Sequence, residues 1–473
     1  MFKSQTETLG SRRLSVGAWS LTLLLNLITG AFCCAAQGRP NIVFFLADDL
    51  GWADLGCYGA KDIRTPRIDQ LARQGVRFTQ FYANGPECSP TRTALLTGRY
   101  QQRVGGLECA IGVGNVGRYD DAIRLANQHE LGLPASEPTI SRLLKDSGYD
   151  TAIIGKWHLG YEDKFAPGNH GFDHAFYCVG GAMDYFQHCE DPPQNAPALR
   201  LNGAPVKRDG YFTDLIAEDA THWLRQRLTS RAEKPFFLYV PFTAPHSPYQ
   251  GPQDSAPTPL PADSDRWKQG RSDPQVYAAM IERMDWAVGR ILDTIADAKS
   301  AQNTLVIFAS DNGGTASARP TGLRGLKGTT FEGGIRVPCI IRWLGIVQAD
   351  TIYPHPTATF DLTVSMARVA GIAPPPHKPF DGIDILSSVV ENRPPPQRIL
   401  FWRQRRGERT WRAVRDGTLK YVSETVGGNS EEYLFKLDDD PAEKNNILSA
   451  HTDDALRLKA LLLEWEKEVK PAR

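Results

Sequence analysis

The sequence predicts an α/β fold: a large, mostly parallel sheet covered by helices, followed by a smaller C-terminal subdomain of antiparallel strands and a helix. Three observations predict it. Apolar runs of strand length recur along the chain without polar alternation. Helical patterns separate them, and charged or polar residues stand directly after the runs. Strands apolar on both faces belong inside a parallel sheet, between two layers of helices.

In chain order, Asn41 to Ala47 (NIVFFLA) is the first run, followed by Asp48-Asp49. A helical pattern covers Thr65 to Gly75, another Thr139 to Gly148. The second run, Asp150 to Ile154, leads into Gly155-Lys156-Trp157-His158. A helix over Leu215 to Leu228 precedes the third run, Phe236 to Val240, after which comes Pro245-His246. A long helix, Val276 to Ala298, precedes the fourth, Thr304 to Ala309, which ends in Asp311-Asn312-Gly313-Gly314. Val337 to Ile341 is a fifth run, and Asp453 to Val469 carries apolar residues at helical spacing. In open α/β sheets ligands bind beyond the carboxyl ends of the strands. Charged groups after four separate runs therefore point to one site.

The 473 residues suffice for a large core plus a smaller unit. The expected division is a signal peptide over 1–36, a catalytic domain over 37–385 and a C-terminal subdomain over 386–473, with linkers in the Pro-rich stretches 374–379 and 394–396. The 54 basic and 54 acidic residues balance, which argues against a nucleic-acid-binding face. At the N-terminus, Lys3, Arg12 and Arg13 precede an apolar run from Val16 to Phe32, and Cys34-Ala35-Ala36 offers small residues for cleavage. The clean apolar core is short for a membrane span, so export is expected and stable membrane insertion is not. No Asn-x-Ser/Thr acceptor occurs, which favours bacterial export to the periplasm or medium over a glycosylated route. Of eight cysteines, Cys33 and Cys34 leave with the signal; Cys178 and Cys189 are either a short-loop bridge or two buried thiols.

The most informative stretch is Cys88-Ser89-Pro90-Thr91-Arg92-Thr93-Ala94-Leu95-Leu96-Thr97-Gly98-Arg99. Ser89 suits a helix cap and Pro90 the first turn, giving a helix start that favours an anion. The string resembles the C-x-P-[ST]-R-x-x-x-L-T-G-R pattern of the formylglycine-dependent, arylsulfatase-like sulfatases of the alkaline phosphatase superfamily. The resemblance extends to Asn41–Gly51, Thr65–Phe81, Gly155–Gly160 and Gly325–Pro338. In the C-terminal part it includes Ala413–Tyr421 and Leu434–Glu443. It implies an alkaline-phosphatase-like fold, sulfate ester hydrolysis, and conversion of Cys88 to formylglycine by a maturation enzyme.

Asp48, Asp49, Asp311 and Asn312 form an all-oxygen set, which suits calcium or magnesium rather than zinc or copper. The resemblance assigns them to one calcium, magnesium remaining open, together with an oxygen of the hydrated residue 88. Lys156 and Lys327 stand on glycine-rich turns, where side chain and backbone approach an anion closely. The resemblance assigns Arg92, Lys156, His246 and Lys327 to the sulfate oxygens and the diol. It gives Lys327 or His246 the departing alcohol and His158 the proton whose loss expels sulfate. The expected substrate is a sulfated small molecule or saccharide, a sulfated polysaccharide fragment being favoured by export. The segment Gly180 to His188 is expected along the pocket, with Tyr185 and Phe186 either stacking on a sugar or buried. Two alternatives stand beside this reading: a phosphonate or phosphate ester hydrolase of the same superfamily, and a non-catalytic glycan-binding protein in which Cys88 is never converted.

Overall fold

Ten strands form the central sheet of the computed structural model, which describes residues 1, 38–190, 198–230, 233–254 and 256–471. The expected signal peptide lies, Met1 apart, outside the described residues. The middle of the sheet is β1 (Asn41–Ala47), β4 (Asp150–Lys156), β5 (His174–Cys178), β8 (Phe236–Pro241) and β9 (Thr304–Ser310). They run parallel in the order β9-β1-β8-β4-β5. The edges are short. Beyond β9 lie β10 (Cys339–Arg342), β2 (Val76–Phe78) and β11 (Thr351–Tyr353), and beyond β5 lie β6 (Leu199–Leu201) and β7 (Ala204–Pro205). The fifth apolar run therefore supplies an antiparallel strand, paired with β9 and β2. β3 (Phe81–Tyr82) and β12 (Thr357–Ala358) pair separately.

Both faces of the central strands are covered, as their unbroken apolar sequences require. Ile42, Phe44 and Leu46 point into one core, with Leu95, Leu96, Ile140 and Leu362 from its helices. Val43, Phe45 and Ala47 point into the other, against the helices Pro66–Arg73, Phe212–Ser230 and Pro274–Asp297. The helices match the predicted patterns to within a turn. Cys178 and Cys189 are free, buried thiols.

The C-terminal part is an antiparallel meander of β13 (Ile399–Arg406), β14 (Arg409–Asp416), β15 (Leu419–Val426) and β16 (Asn429–Lys436), closed by the helix Thr452–Glu468. Trp402, Trp411, Phe435, Leu458 and Trp465 form its core together with Tyr82, Phe331 and Phe360 from the preceding chain. Buried charge fastens it to the segment that carries Lys327. Lys420 Nζ lies 2.8 Å from Glu332 Oε1 and 2.9 Å from Glu443 Oε1, all three side chains being buried. The Glu332 backbone N–H donates to Glu443 Oε2 at 2.7 Å. Burial, then repulsion from Glu332 set against attraction to Lys420, raises the Glu443 carboxyl to about 7. Removing one partner of such a cluster leaves uncompensated buried charge, typically at a cost of about 3–5 kcal/mol. Lys420→Met should therefore destabilise the protein by about that amount in urea unfolding. A loss below about 1 kcal/mol, the range of an exposed pair, would show that the cluster does not anchor the two parts.

Candidate active site

Four neighbouring parallel strands end at one place, and the residues singled out in the sequence stand there. β1 delivers Asp48 and Asp49, β9 delivers Asp311 and Asn312, β4 ends on Lys156 and continues to His158, and His246 follows β8. Asp49 and His158 adopt left-handed backbone (φ 64° and 56°), an uncommon conformation for such residues outside constrained sites. Cys88 opens the helix Cys88–Thr97 above them. Ser89 does not cap that helix. Glu87 holds the cap position, and Ser89 Oγ instead donates to the His158 carbonyl at 2.9 Å and accepts from the Ile111 N–H at 3.2 Å.

The buried floor is a lattice of charge. Lys156 Nζ lies 2.6 Å from Asp48 Oδ2, and Cys88 Sγ lies 3.2 Å from Asp48 Oδ1. Arg92 reaches Asp311 Oδ2 through Nε at 3.1 Å and Nη2 at 2.8 Å. Lys327 Nζ bonds Asp49 at 2.8 Å. Three carboxylates thus face three cations, all buried or nearly so, and a divalent cation added here would leave positive charge for an anion to offset. Burial would raise Asp49, but Lys327 and His246 outweigh it and bring the carboxyl down to about 2. Burial, then Asp48, raises Asp311 to about 6 despite Arg92, which is the condition a bound dication would relieve.

The two histidines have defined tautomers, because a backbone carbonyl only accepts. His158 Nε2 donates to the Ile111 carbonyl at 2.9 Å, so Nδ1 carries the lone pair; it is buried with no hydrogen-bond partner. Burial and the nearby Lys156 hold this ring neutral, well below the usual histidine range. His246 Nδ1 donates to the Ser247 carbonyl at 2.5 Å, leaving Nε2 to accept from Gln269 Nε2 at 3.0 Å. Burial, then Lys327, lowers His246 to about 3.

The residues also fit a hard metal ion. Ligand atoms of Asp48, Asp49, Cys88 and His246 lie within 4.8 Å of one another. Asn312 donates through Nδ2 to Asp49 Oδ1 at 2.8 Å, and its Oδ1 is buried without a partner. Asp311 Oδ1 accepts the Asp49 N–H at 3.2 Å. A thiol is the poorest donor of this group for a hard cation, and an oxygen at position 88 would match the rest.

Above the floor opens a cleft of about 130 Å³ lined by Cys88, His158, His246 and Lys327 among the expected residues. A protein-family comparison matches residues 40–372 to the sulfatase model. The chain belongs to the sulfatase family. Among curated relatives this sulfatase is 31% identical to N-acetylgalactosamine-6-sulfatase of Canis lupus familiaris, over 92% of this chain and 81% of the relative. It is 32% identical to human steryl-sulfatase, over 74% and 70% respectively. Among solved structures it resembles Ps i-CgsB in complex with k-i-k-neocarrahexaose, with 29% identity and a TM-score of 0.77 over 90% of this chain and 93% of that one. Sulfate ester hydrolysis is accordingly the activity class of this enzyme.

The sulfatase's geometry separates two groups that the sequence left together. Arg92 and Lys156 are wholly buried and do not line the cleft; they hold Asp311 and Asp48. Of the segment Gly180 to His188, Gly181 and Ala182 line the cleft. Tyr185 is buried and Phe186 half-buried, both packed on Tyr211, and neither lines the cleft. A Cβ on Gly181 would lie 2.5 Å from His158 Cε1, so this glycine is the space in which the ring sits. Trp157 is packing, as expected, its Nε1 bonded to the Phe165 carbonyl at 2.8 Å. Gln269, Arg118 and Arg406 went unread as site residues, since none follows a strand of the central sheet, and Gly181 was expected only as part of the pocket-lining segment.

Proposed function

We propose that this sulfatase acts on sulfated saccharides through Cys88 converted to formylglycine, with one calcium, or magnesium in its place, held by Asp48, Asp49, Asp311, Asn312 and an oxygen of residue 88. The observation that carries the reading is the partition around position 88. Three buried carboxylates and the unpartnered Asn312 Oδ1 lie beneath it, while Lys327, His246 and His158 line the cleft above. Burial, then Asp48, pushes the Cys88 thiol far above its ordinary range, so an unmodified cysteine would be a poor nucleophile. A bound cation supplies Lewis acidity at the floor, and hydrated formylglycine supplies one hydroxyl to attack and a second to expel sulfate.

The protein's own groups divide the remaining work. Arg92 and Lys156 fix the carboxylates through charge-assisted bonds. Lys327 faces the cleft as an ammonium, since Asp49 more than offsets its burial, and it is placed to hold sulfate oxygens and to protonate the departing alcohol. His246 presents a lone pair at Nε2, not a proton, which gives the acid role to Lys327. The unpartnered Nδ1 of His158 is the base for sulfate release. The saccharide class is supported by the N-acetylgalactosamine-6-sulfatase relative and by the neocarrahexaose complex of Ps i-CgsB. We further infer an exported enzyme that loses residues 1–36 and is matured by a formylglycine-generating or equivalent enzyme. Its catalytic domain is 37–385 and its C-terminal subdomain 386–473. Among the described residues no helix is long and apolar enough to cross a membrane.

The test is desulfation of an aryl sulfate and a panel of defined sulfated saccharides by protein co-expressed with a maturation enzyme, run beside phosphonate and phosphate monoesters. Sulfate release with the aldehyde or its hydrate at position 88 and one calcium or magnesium per chain is expected. Faster phosphonate turnover, an unmodified thiol in fully active protein, or stoichiometric zinc would each overturn it.

A further inference from the structure

Resting on the reading above, we propose that Arg118 and Arg406 form a second anion subsite at the cleft, which selects sulfated saccharides bearing a further negative group, a carboxylate or another sulfate. Both arginines line the cleft that holds Cys88 and Lys327. They come from distant parts of the chain. Arg118 belongs to the polar segment between Gly105 and Leu133, and Arg406 ends β13 at the meander's first turn. The backbone joins them, since the Gly407 N–H donates to the Arg118 carbonyl at 2.6 Å. A bridge between Gly112 and Val116 folds the segment back just before Arg118. A Cβ on Gly112 would meet Val116 Cβ at 2.9 Å and Arg118 Nε at 3.3 Å, so the glycine leaves room for the guanidinium.

Pairing sets Arg118 apart from the neighbouring arginines. Arg403 and Arg405 reach Glu108, and Arg409 reaches Glu424. Arg118 Nε is buried with no hydrogen-bond partner, and no carboxylate pairs with its guanidinium among the described residues. Arg406 is held through Nη1 by Glu87 Oε1 at 2.5 Å, while Glu87 Oε2 accepts the Ala110 N–H at 2.7 Å. Glu87 thus orients Arg406 and, among the described residues, is the one carboxylate lining the cleft, against Arg118 and Arg406 on the same wall. The floor below is already balanced by its own cations. Glu87 answers one charge of this pair, so a single sulfate seated over Lys327 leaves the other guanidinium charge, that of Arg118, uncompensated at the cleft. Planar guanidinium forks suit carboxylate and sulfate oxygens.

The experiment compares a monosulfated hexose with the same hexose carrying a second sulfate and with its uronate-linked disaccharide, using mature enzyme and an aryl sulfate control. We expect kcat/KM to favour the doubly anionic substrates by about tenfold or more, as charge-assisted bonds at a half-buried site allow. Arg118→Met and Arg406→Met should each lower that ratio, with Arg118→Lys restoring part of it. Because the ratio is internal to each protein, general damage cancels. Equal turnover of singly and doubly anionic substrates by the wild type, or an unchanged ratio in both variants, would overturn the subsite. Calorimetric binding of the same saccharides to the unmatured Cys88 protein decides the matter independently of turnover. Tighter binding of the doubly anionic ligands, lost in Arg118→Met, supports the subsite even if no ester is hydrolysed, and equal binding overturns it.

Discussion

Cys88→Ala is expected to abolish sulfate ester turnover, by a factor on the order of 10⁶, which is what loss of a covalent nucleophile costs elsewhere. The protein should stay folded. Cys88 is buried at the first position of its helix, and its side chain makes one polar contact, to Asp48. Alanine keeps the helix start and removes one small group. The carboxylates below keep their partners Lys156, Arg92 and Lys327, so the floor should persist. Cys88→Ser is the sharper control. Serine offers one hydroxyl, enough for a single attack and not for release, so at most one sulfate per chain should be transferred. The measurement is a single-turnover assay beside a melting curve. Multiple turnovers by the alanine variant would remove residue 88 from the chemistry altogether.

The parts of this site that were readable in the sequence are those carried by local pattern. An unbroken apolar run such as Asn41–Ala47 announces a strand buried on both faces, and the polar pair after it announces a strand end. Such signals located Asp48, Asp49, Asp311, Asn312, Lys156 and His158. Local pattern does not record partners. Asp49 and Lys327 meet across 278 residues of sequence, and Arg92 and Asp311 across 219. The order β9-β1-β8-β4, which makes four strand ends adjacent, exists only in the folded sheet. Where several uses compete for one side chain, the tertiary use won. Ser89 was a plausible cap by type, yet its hydroxyl ties His158 to Ile111. Gln269 and Gly181 carry no motif, because what matters is one amide aimed at His246 and one absent Cβ beside His158. Arg406 stands in an arginine-rich stretch with Arg403, Arg405 and Arg409, and only the turn's contact with Arg118 distinguishes it.

His158→Ala and Lys327→Ala should both lose most activity, and the difference between them tests the division of labour. In the proposed roles each is a positioned acid–base group, typically worth ~10²–10⁴ in rate. We assign His158 to the release side of the cycle on its chemistry: a neutral ring, Nε2 committed to the Ile111 carbonyl, and a buried lone pair at Nδ1. Without it the first transfer should proceed and the second stall, so sulfate should remain covalently on residue 88. Lys327 is an ammonium held by Asp49 at the cleft wall, so its loss should slow the first step, most for substrates with poor leaving groups. Mass spectrometry of the residue 88 peptide after brief exposure to substrate distinguishes the two. Sulfated peptide is expected to accumulate in His158→Ala and not in Lys327→Ala. The opposite distribution would exchange the roles. Gly181→Ala provides a graded version of the same test. Its methyl would enter the space of the His158 ring, so release should slow without loss of any ionisable group, and sulfated peptide should again accumulate.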